Sequence, residues 1–369
     1  MKILSFLGTT NYAFTKYAYK EKIVPTRFFA EALPHFFPKT ENILVFVTPT
    51  VRSHSNLEEL QSRLGNLLKP IPIPESHTED ALWEIFDALV TAVEPGERVV
   101  FDITNSFRSI PFLVFTAAAF LRSARDVDVE AVLYGAYEAR SEKNVSPVFD
   151  LTPFVSLFDW LAAINQFLYT GNARYLAAQL RKRPDTTLEP LAENVENIAL
   201  GLDLLRPRDV AGAAGELPHY LGAVRSALPE PFGVVVERLQ RDYSTFAVEN
   251  DSDDWAYLRS QLRMIDWYFE KQHYVHALAM AREWLVSLIC LHFNEDMWDK
   301  DVREDAEILL SGGKRGDKES RHRDEWKTVP ERKRLRRLWN EPLNLANLRN
   351  DVMHTGFRKN PKAAEEIIR

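Results

Sequence analysis

The chain has 369 residues, of which 46% are hydrophobic and 27% charged, with a formal net charge of −7 and a single cysteine. That length exceeds one typical globular domain, and the composition is that of an ordinary folded protein. Together they exclude a surface coated in positive charge for indiscriminate nucleic-acid binding, an internal disulfide, and a cysteine-built metal cage.

The start, MKILSFLGTTNY, passes into Gly and polar residues too soon for a secretory signal, and no apolar run approaches the roughly eighteen residues of a membrane span. A cytoplasmic protein with no membrane partner is expected. In chain order, the runs KILSFLG, NILVFVTP, RVVFDIT and EAVLYGA are almost continuously apolar, as strands covered on both faces require. Residues 17–25 suggest a small hairpin before a helix carrying Phe28, Phe29, Ala32 and Leu33. Leu57, Leu60, Leu64 and Leu67 form one helical stripe; Leu82, Ile85, Phe86, Leu89, Val90 and Val93 form another at spacings of three and four. Residues 110–121 read as a buried helix. Strands alternating with helices predict an α/β, Rossmann-like N-terminal domain with a largely parallel sheet.

Beyond Pro153 the strand signals stop, and an all-α C-terminal region is predicted. FVSLFDWLAAINQFL is apolar enough to be buried between layers or in a subunit interface. Residues 252–293 read as two long helices, and SGGKRGDKES as a loop. From 314 to 337 basic residues outnumber acidic ones about two to one, which suits either a solvated face or a rim that attracts phosphate. No Gly/Ser linker separates the halves, so a packed junction is expected. The domain plan is 1–152, a helical connecting region 153–250, and a helical domain 251–369.

In open α/β sheets, ligands bind beyond the carboxyl ends of the strands. Two loops fall there. In FLGTTNY, Gly8 permits close backbone approach, while Thr9, Thr10 and Asn11 offer hydroxyl and amide groups that can bond phosphate oxygens or base edges. In FDITNSFRSIP, Thr104 leads to Asn105 or Ser106 as a helix cap, with Phe107 and Arg108 beside it and Pro111 in the first turn. The helix end and Arg108 suit an anion or nucleotide. On this chemistry alone, both loops could equally be ordinary strand-to-helix turns.

SFLGTTNY, FDITNSFRSIPFL and LYGAYEA, followed by DLTPF, Trp160 and LYTGN, resemble in order and spacing the CRISPR-associated family named for its D-x-T-H-G motif. The resemblance spans nearly all of the first 175 residues. It implies an N-terminal CARF domain that binds cyclic oligoadenylate made by type III CRISPR complexes, with Gly8, Thr9, Thr10, Asn11, Tyr12, Thr104, Asn105, Ser106, Phe107 and Arg108 as ligand-binding residues. Asn105 stands where the family usually has His, and Ser106 where it usually has Gly. Asn donates and accepts hydrogen bonds but does not titrate near neutrality, so recognition is favoured over an acid–base role in cleaving the ring.

Near the end, NLANLRNDVMHTGF contains Arg349 and His354 in an R-x-x-x-x-H spacing. Leu345, Leu348 and Val352 fall within about 60° on a helical wheel, while Arg349 and His354 lie about 140° apart and off that stripe, with Asn350 on the His354 side. Cleavage of RNA through its 2′-hydroxyl needs a proton carrier and a cation on the phosphorane-like transition state, roles suited to His354 and Arg349, with Asn350 orienting. RNDVMH resembles the motif of HEPN ribonuclease domains, which act as dimers, and the helix with Glu283 resembles the long helix behind their site. The two resemblances imply a homodimer, or a larger assembly, that cleaves single-stranded RNA without a metal or other catalytic cofactor and takes cyclic oligoadenylate as an allosteric activator. The alternatives are a non-enzymatic CARF sensor whose helices bind a partner or nucleic acid, and a nucleotide-dependent enzyme acting at the sheet.

Overall fold

The computed structural model describes residues 1–368 apart from 77, 106–109, 184, 225–232, 251, 341–343 and 358. The chain folds as two compact units, Met1–Trp160 and Leu161–Arg369, whose boundary falls within the helix Thr152–Thr170.

Among the described residues of the first unit, eight strands form one mixed sheet: β1 (Lys2–Phe6), β2 (Thr15–Tyr19), β3 (Lys22–Thr26), β4 (Asn42–Val47), β5 (Leu68–Pro72), β6 (Arg98–Asp102), β7 (Asp128–Gly135) and β8 (Val145–Asp150). Their order is β3-β2-β8-β7-β6-β1-β4-β5. From β7 to β5 every pairing is parallel; β8 runs antiparallel to β7, and the β2–β3 hairpin adds the far edge. The reason the central strands are apolar throughout is visible residue by residue. Ile3, Val45 and Val100 enter one core with Phe29, Leu33, Leu57 and Leu60, whereas their neighbours Leu4, Phe46 and Phe101 enter the opposite core with Ile85, Leu89, Val114 and Ala118. Each such side chain, fully buried, contributes about 1.5–3 kcal/mol.

Four features add detail to the sequence reading. β5 and β8 carry prolines and no strong alternation; β5 lies at the sheet edge, where Pro70 and Pro72 cost little. The stripe ending in Leu67 is cut short, because the helix Ser55–Leu64 stops at Gly65, with φ +55. In Thr152–Thr170 a single stripe of Val155, Trp160, Ala163 and Phe167 is buried, while Phe154, Leu157, Phe158 and Leu161 are exposed. Within SGGKRGDKES, Lys314–Arg315 pairs with Lys318–Glu319 as a short hairpin.

The second unit is helical apart from that hairpin among its described residues. Its core joins Ala211, from the helix Pro207–Val224, to Tyr257, Leu258, Leu285, Ile289, Leu309, Trp326 and Trp339. Gly171 sits at φ +69 with the Trp267 ring packed against it, and Tyr243 donates to its carbonyl at 2.6 Å. The helix Tyr274–His292 is long and apolar enough to cross a membrane, contrary to the count of contiguous apolar residues. Its apolar residues fill the core, and Arg282 and Glu283 at its middle are ion-paired, the arrangement of a core helix.

Candidate functional sites

In the first unit, β1 and β6 are adjacent and parallel, Lys2 opposite Val99 and Leu4 opposite Phe101, so the loops that follow them leave the same end of the sheet side by side. Asp102, the last residue of β6, is fully buried and joins them. Its Oδ2 accepts the Ser5 hydroxyl at 2.6 Å and its Oδ1 accepts the Thr104 amide at 2.8 Å. Burial pushes the Asp102 carboxyl up to about 6, although the Ser5 and Thr104 hydrogen bonds oppose the rise. The Thr104 hydroxyl then accepts the Gly135 amide at 2.8 Å, tying the loop to the end of β7.

The β1 loop is held from a third direction. Asn56, 4% exposed at the start of Ser55–Leu64, donates through Nδ2 to the carbonyls of Gly8 and Thr10, each at 3.0 Å. The Gly8 amide donates to the Tyr12 hydroxyl at 2.8 Å, and the Tyr12 ring packs edge-on to Phe28 at 5.5 Å. Burial raises the Tyr12 pKa, keeping the phenol neutral. Thr9, Thr10 and Asn11 are exposed, Thr104 and Asn105 half-buried. Arg27 reaches Asn11 Oδ1 at 3.5 Å but is committed to Glu59 at 2.8 Å. The expected contributions of Ser106, Phe107 and Arg108 lie outside the described residues. The geometry gives a rigid backbone cradle rimmed by hydroxyls and amides, suited to hydrogen bonding a polar, phosphate-bearing ligand.

In the second unit, Arg349 and Asn350 lie on the helix Leu345–Met353, and His354 caps its C-terminus with its amide bonded to the Asn350 carbonyl at 3.0 Å. The two members of the expected pair differ in setting. His354 is exposed. Arg349 is half-buried, donates to Asn350 Oδ1 at 3.2 Å, and lines a cavity of about 430 Å³ with Glu283, Ser287 and Arg303. Glu283 receives Arg282 at 2.6 Å and Arg303 at 2.7 Å, and Arg303 also donates to the Ser287 hydroxyl at 2.8 Å. Burial favours the neutral Glu283 carboxyl, but the two guanidiniums outweigh it and hold its pKa below the usual range. The helix end is anchored by Asp351, 4% exposed, whose Oδ2 accepts the Lys362 amide at 2.9 Å. His273 and His276 bond the carbonyls of Thr170 and Asp203.

Residues 2–138 match the family described as "CRISPR system endoribonuclease Csx1, CARF domain". Most of the N-terminal unit is thus similar to a Csx1-type CARF domain. A curated relative, CRISPR-associated protein MJ1674 of Methanocaldococcus jannaschii, is 31% identical over 128 residues, which is 34% of this chain and 20% of that protein, so the chain spans only a small part of the relative's length. Among solved structures, Enterococcus italicus Csm6 bound to cyclic hexa-2'-fluoro-hexa-dAMP aligns over 99% of this chain and 90% of its own at 10% identity, with a TM-score of 0.46, too low to bear on function.

The CARF domain thus brings both sequence-derived loops to one end of its sheet. Sequence reasoning takes the stretch from Asp102 to Arg108 as half of a ligand cradle, but it missed Ser5, Asn56 and Gly135, which fix the loops there, and the buried tie that Asp102 makes between them. Asp102 did carry a signal, being an acid that closes an otherwise apolar strand; Asn56 carried none.

Proposed function

We propose that this chain is a cyclic-oligoadenylate-activated, metal-independent endoribonuclease of type III CRISPR antiviral defence, cytoplasmic and homodimeric. The observation that carries the reading is the CARF match over residues 2–138, with the β1 and β6 loops pinned side by side through Asp102. The ligand ring contacts residues 8–12 and 104–108 of both subunits. The apolar face of Phe154, Leu157 and Phe158, exposed on each chain, supports pairing.

The helical unit acts as a HEPN ribonuclease domain. The 2′-oxygen of the substrate attacks the adjacent phosphorus as its proton is withdrawn, the bond to the 5′-oxygen breaks, and that oxygen is protonated as it leaves. His354 moves the proton, Arg349 stabilises charge on the phosphorane-like oxygens, and Asn350 holds the Arg349 guanidinium. A ligand that binds open and closed dimers differently shifts the helical units and so controls the meeting of the motifs.

The test is cleavage of a fluorogenic single-stranded RNA with chelator present, comparing cyclic tri-, tetra- and hexa-adenylate. One ring activates, and both Arg349→Ala and His354→Ala abolish cleavage. Undiminished cleavage by both variants would leave a CARF sensor with an inert helical motif, and ring opening without RNA cleavage would move the chemistry to the sheet.

A further inference from the structure

The cavity beside Arg349 holds more than the proposed chemistry uses. Gln261, from the helix Asp254–Glu270, lines it while only 7% exposed, and its carboxamide has no hydrogen-bond partner among the described residues. The Nε of Arg349 is likewise buried without a partner. Buried polar groups are ordinarily satisfied, so the unpartnered Arg349 Nε beside a carboxamide that opens on the cavity marks a place where a ligand completes the bonding. The opposing charges do not compete for it. Both oxygens of Glu283 are taken by Arg282 and Arg303, which leaves Arg349 as the cation with an unspent donor at this wall.

The remaining walls are flat or apolar. Met280, Met297, Met353 and Pro207 contribute deformable hydrocarbon and thioether surface, and Trp298 contributes a half-exposed indole with Arg208 stacked at 4.5 Å and Tyr257 set edge-on. A volume of about 430 Å³ is that of a small-ligand site. A planar heterocycle fits such walls, an amide reads its edge through one donor and one acceptor, and a cation at the mouth suits the phosphate attached to it.

We infer that this cavity is a base-recognition pocket, seating one unpaired nucleobase of the RNA beside the phosphate to be cut, with Gln261 as the specificity-determining residue. The inference rests on the ribonuclease reading above. On the edge that carries N7, adenine alone sets a donor, N6–H, beside an acceptor, N7, and a glutamine carboxamide matches that pair bidentately. Sequence preference in cleavage then originates within one helical unit, separately from the adenylate that activates the enzyme.

Two measurements test it. Cleavage ends mapped on a randomised single-stranded RNA show a base preference at one fixed position from the cut; Gln261→Leu lowers that preference about tenfold, and Gln261→Glu moves it toward cytosine, whose N4 amine donates to a carboxylate. Should Gln261→Leu fail to fold, the Glu variant carries the test. Separately, calorimetry with the four nucleoside 5′-monophosphates on full-length His354→Ala protein shows adenosine monophosphate binding about tenfold tighter than the rest, and the difference disappears when Gln261→Leu is added. An unchanged preference in both Gln261 variants, equal binding of all four nucleotides, or adenosine monophosphate binding indifferent to Gln261 would overturn the assignment. Failure of the ribonuclease reading is recognised differently, by Arg349→Ala cleaving as wild type does, and leaves the calorimetric result standing on its own.

Discussion

Replacing Asp102 by Asn tests the physical account of the CARF site at its centre. The carboxyl lies about two units above its ordinary value of 3.8, so at neutral pH the folded state carries a buried charge whose cost, at about 1.4 kcal/mol per unit, is about 3 kcal/mol. Because the folded pKa is the higher one, the native state binds more protons than the unfolded chain between about pH 4 and pH 6, and stability falls as pH rises through that window. Asn fits the same bonds. Its Oδ1 can accept the Thr104 amide, and its Nδ2 can donate to the Ser5 hydroxyl, which rotates to accept. Asp102→Asn therefore raises stability by up to about 3 kcal/mol at pH 7.5, a gain that shrinks to nothing near pH 4. Native-state hydrogen exchange of β1 and β6 amides, measured on both proteins from pH 4 to 8, reads the difference locally and cancels every other titrating group. A variant less stable than wild type at pH 7.5, or a gap that does not close on acidification, would refute the reasoning.

Asn56→Ala removes both bonds to the β1 loop, so affinity for cyclic oligoadenylate, the proposed activator, falls at least about tenfold in calorimetry while circular dichroism is unchanged. At Gly171 a Cβ would stand 2.0 Å from the Trp267 ring, on a backbone at φ +69; Gly171→Ala destabilises the helical unit by more than about 3 kcal/mol, seen as a collapse of its thermal transition. Glu283→Gln leaves Arg282 and Arg303 without their shared anion and costs about 1–2 kcal/mol in urea denaturation, a modest figure because the Glu283 side chain is 45% exposed. Since the Glu283 pKa is depressed, that contribution is present at neutral pH and is lost only as pH falls below the ordinary glutamate range and through the lower folded value.

The parts of this molecule legible from sequence are those whose signal is local and repeated. β1, β4, β6 and β7 announce themselves because successive side chains at their centres enter opposite cores, leaving few polar positions along the run. β5 and β8 are built instead by their neighbours, which supply ladder bonds that a proline-containing segment could not have advertised. The same division runs through the CARF site. Gly8, Thr10 and Thr104 are found by their place after apolar strands, whereas Asn56 reaches Gly8 and Thr10 from a helix 46–48 residues away in sequence, where one Asn among Ser, Leu and Glu looks like any helix-start residue. In the helical unit the wheel separates Arg349 from His354 by about 140° and treats both as outward-facing. The structure ends the helix at Met353, so His354 leaves it exposed, while Arg349 turns toward Glu283 and Arg303, which only the fold brings near.

That divergence makes a composite site the economical arrangement, and it can be tested without further coordinates. If each site takes Arg349 from one protomer and His354 from its partner, a mixed dimer of Arg349→Ala with His354→Ala holds one site lacking both groups and one site with both intact. Random exchange makes about half of all dimers mixed, each with one of two sites whole, so combining two inactive proteins restores about a quarter of wild-type cleavage. If instead each protomer carries its own complete pair, no mixture contains an intact site, and activity stays at the level of the separate variants. Subunit exchange followed by the fluorogenic assay distinguishes these outcomes, with sedimentation confirming that both variants still pair. Silence from a mixture proven to contain mixed dimers would sink the two-fold site while leaving the CARF domain untouched.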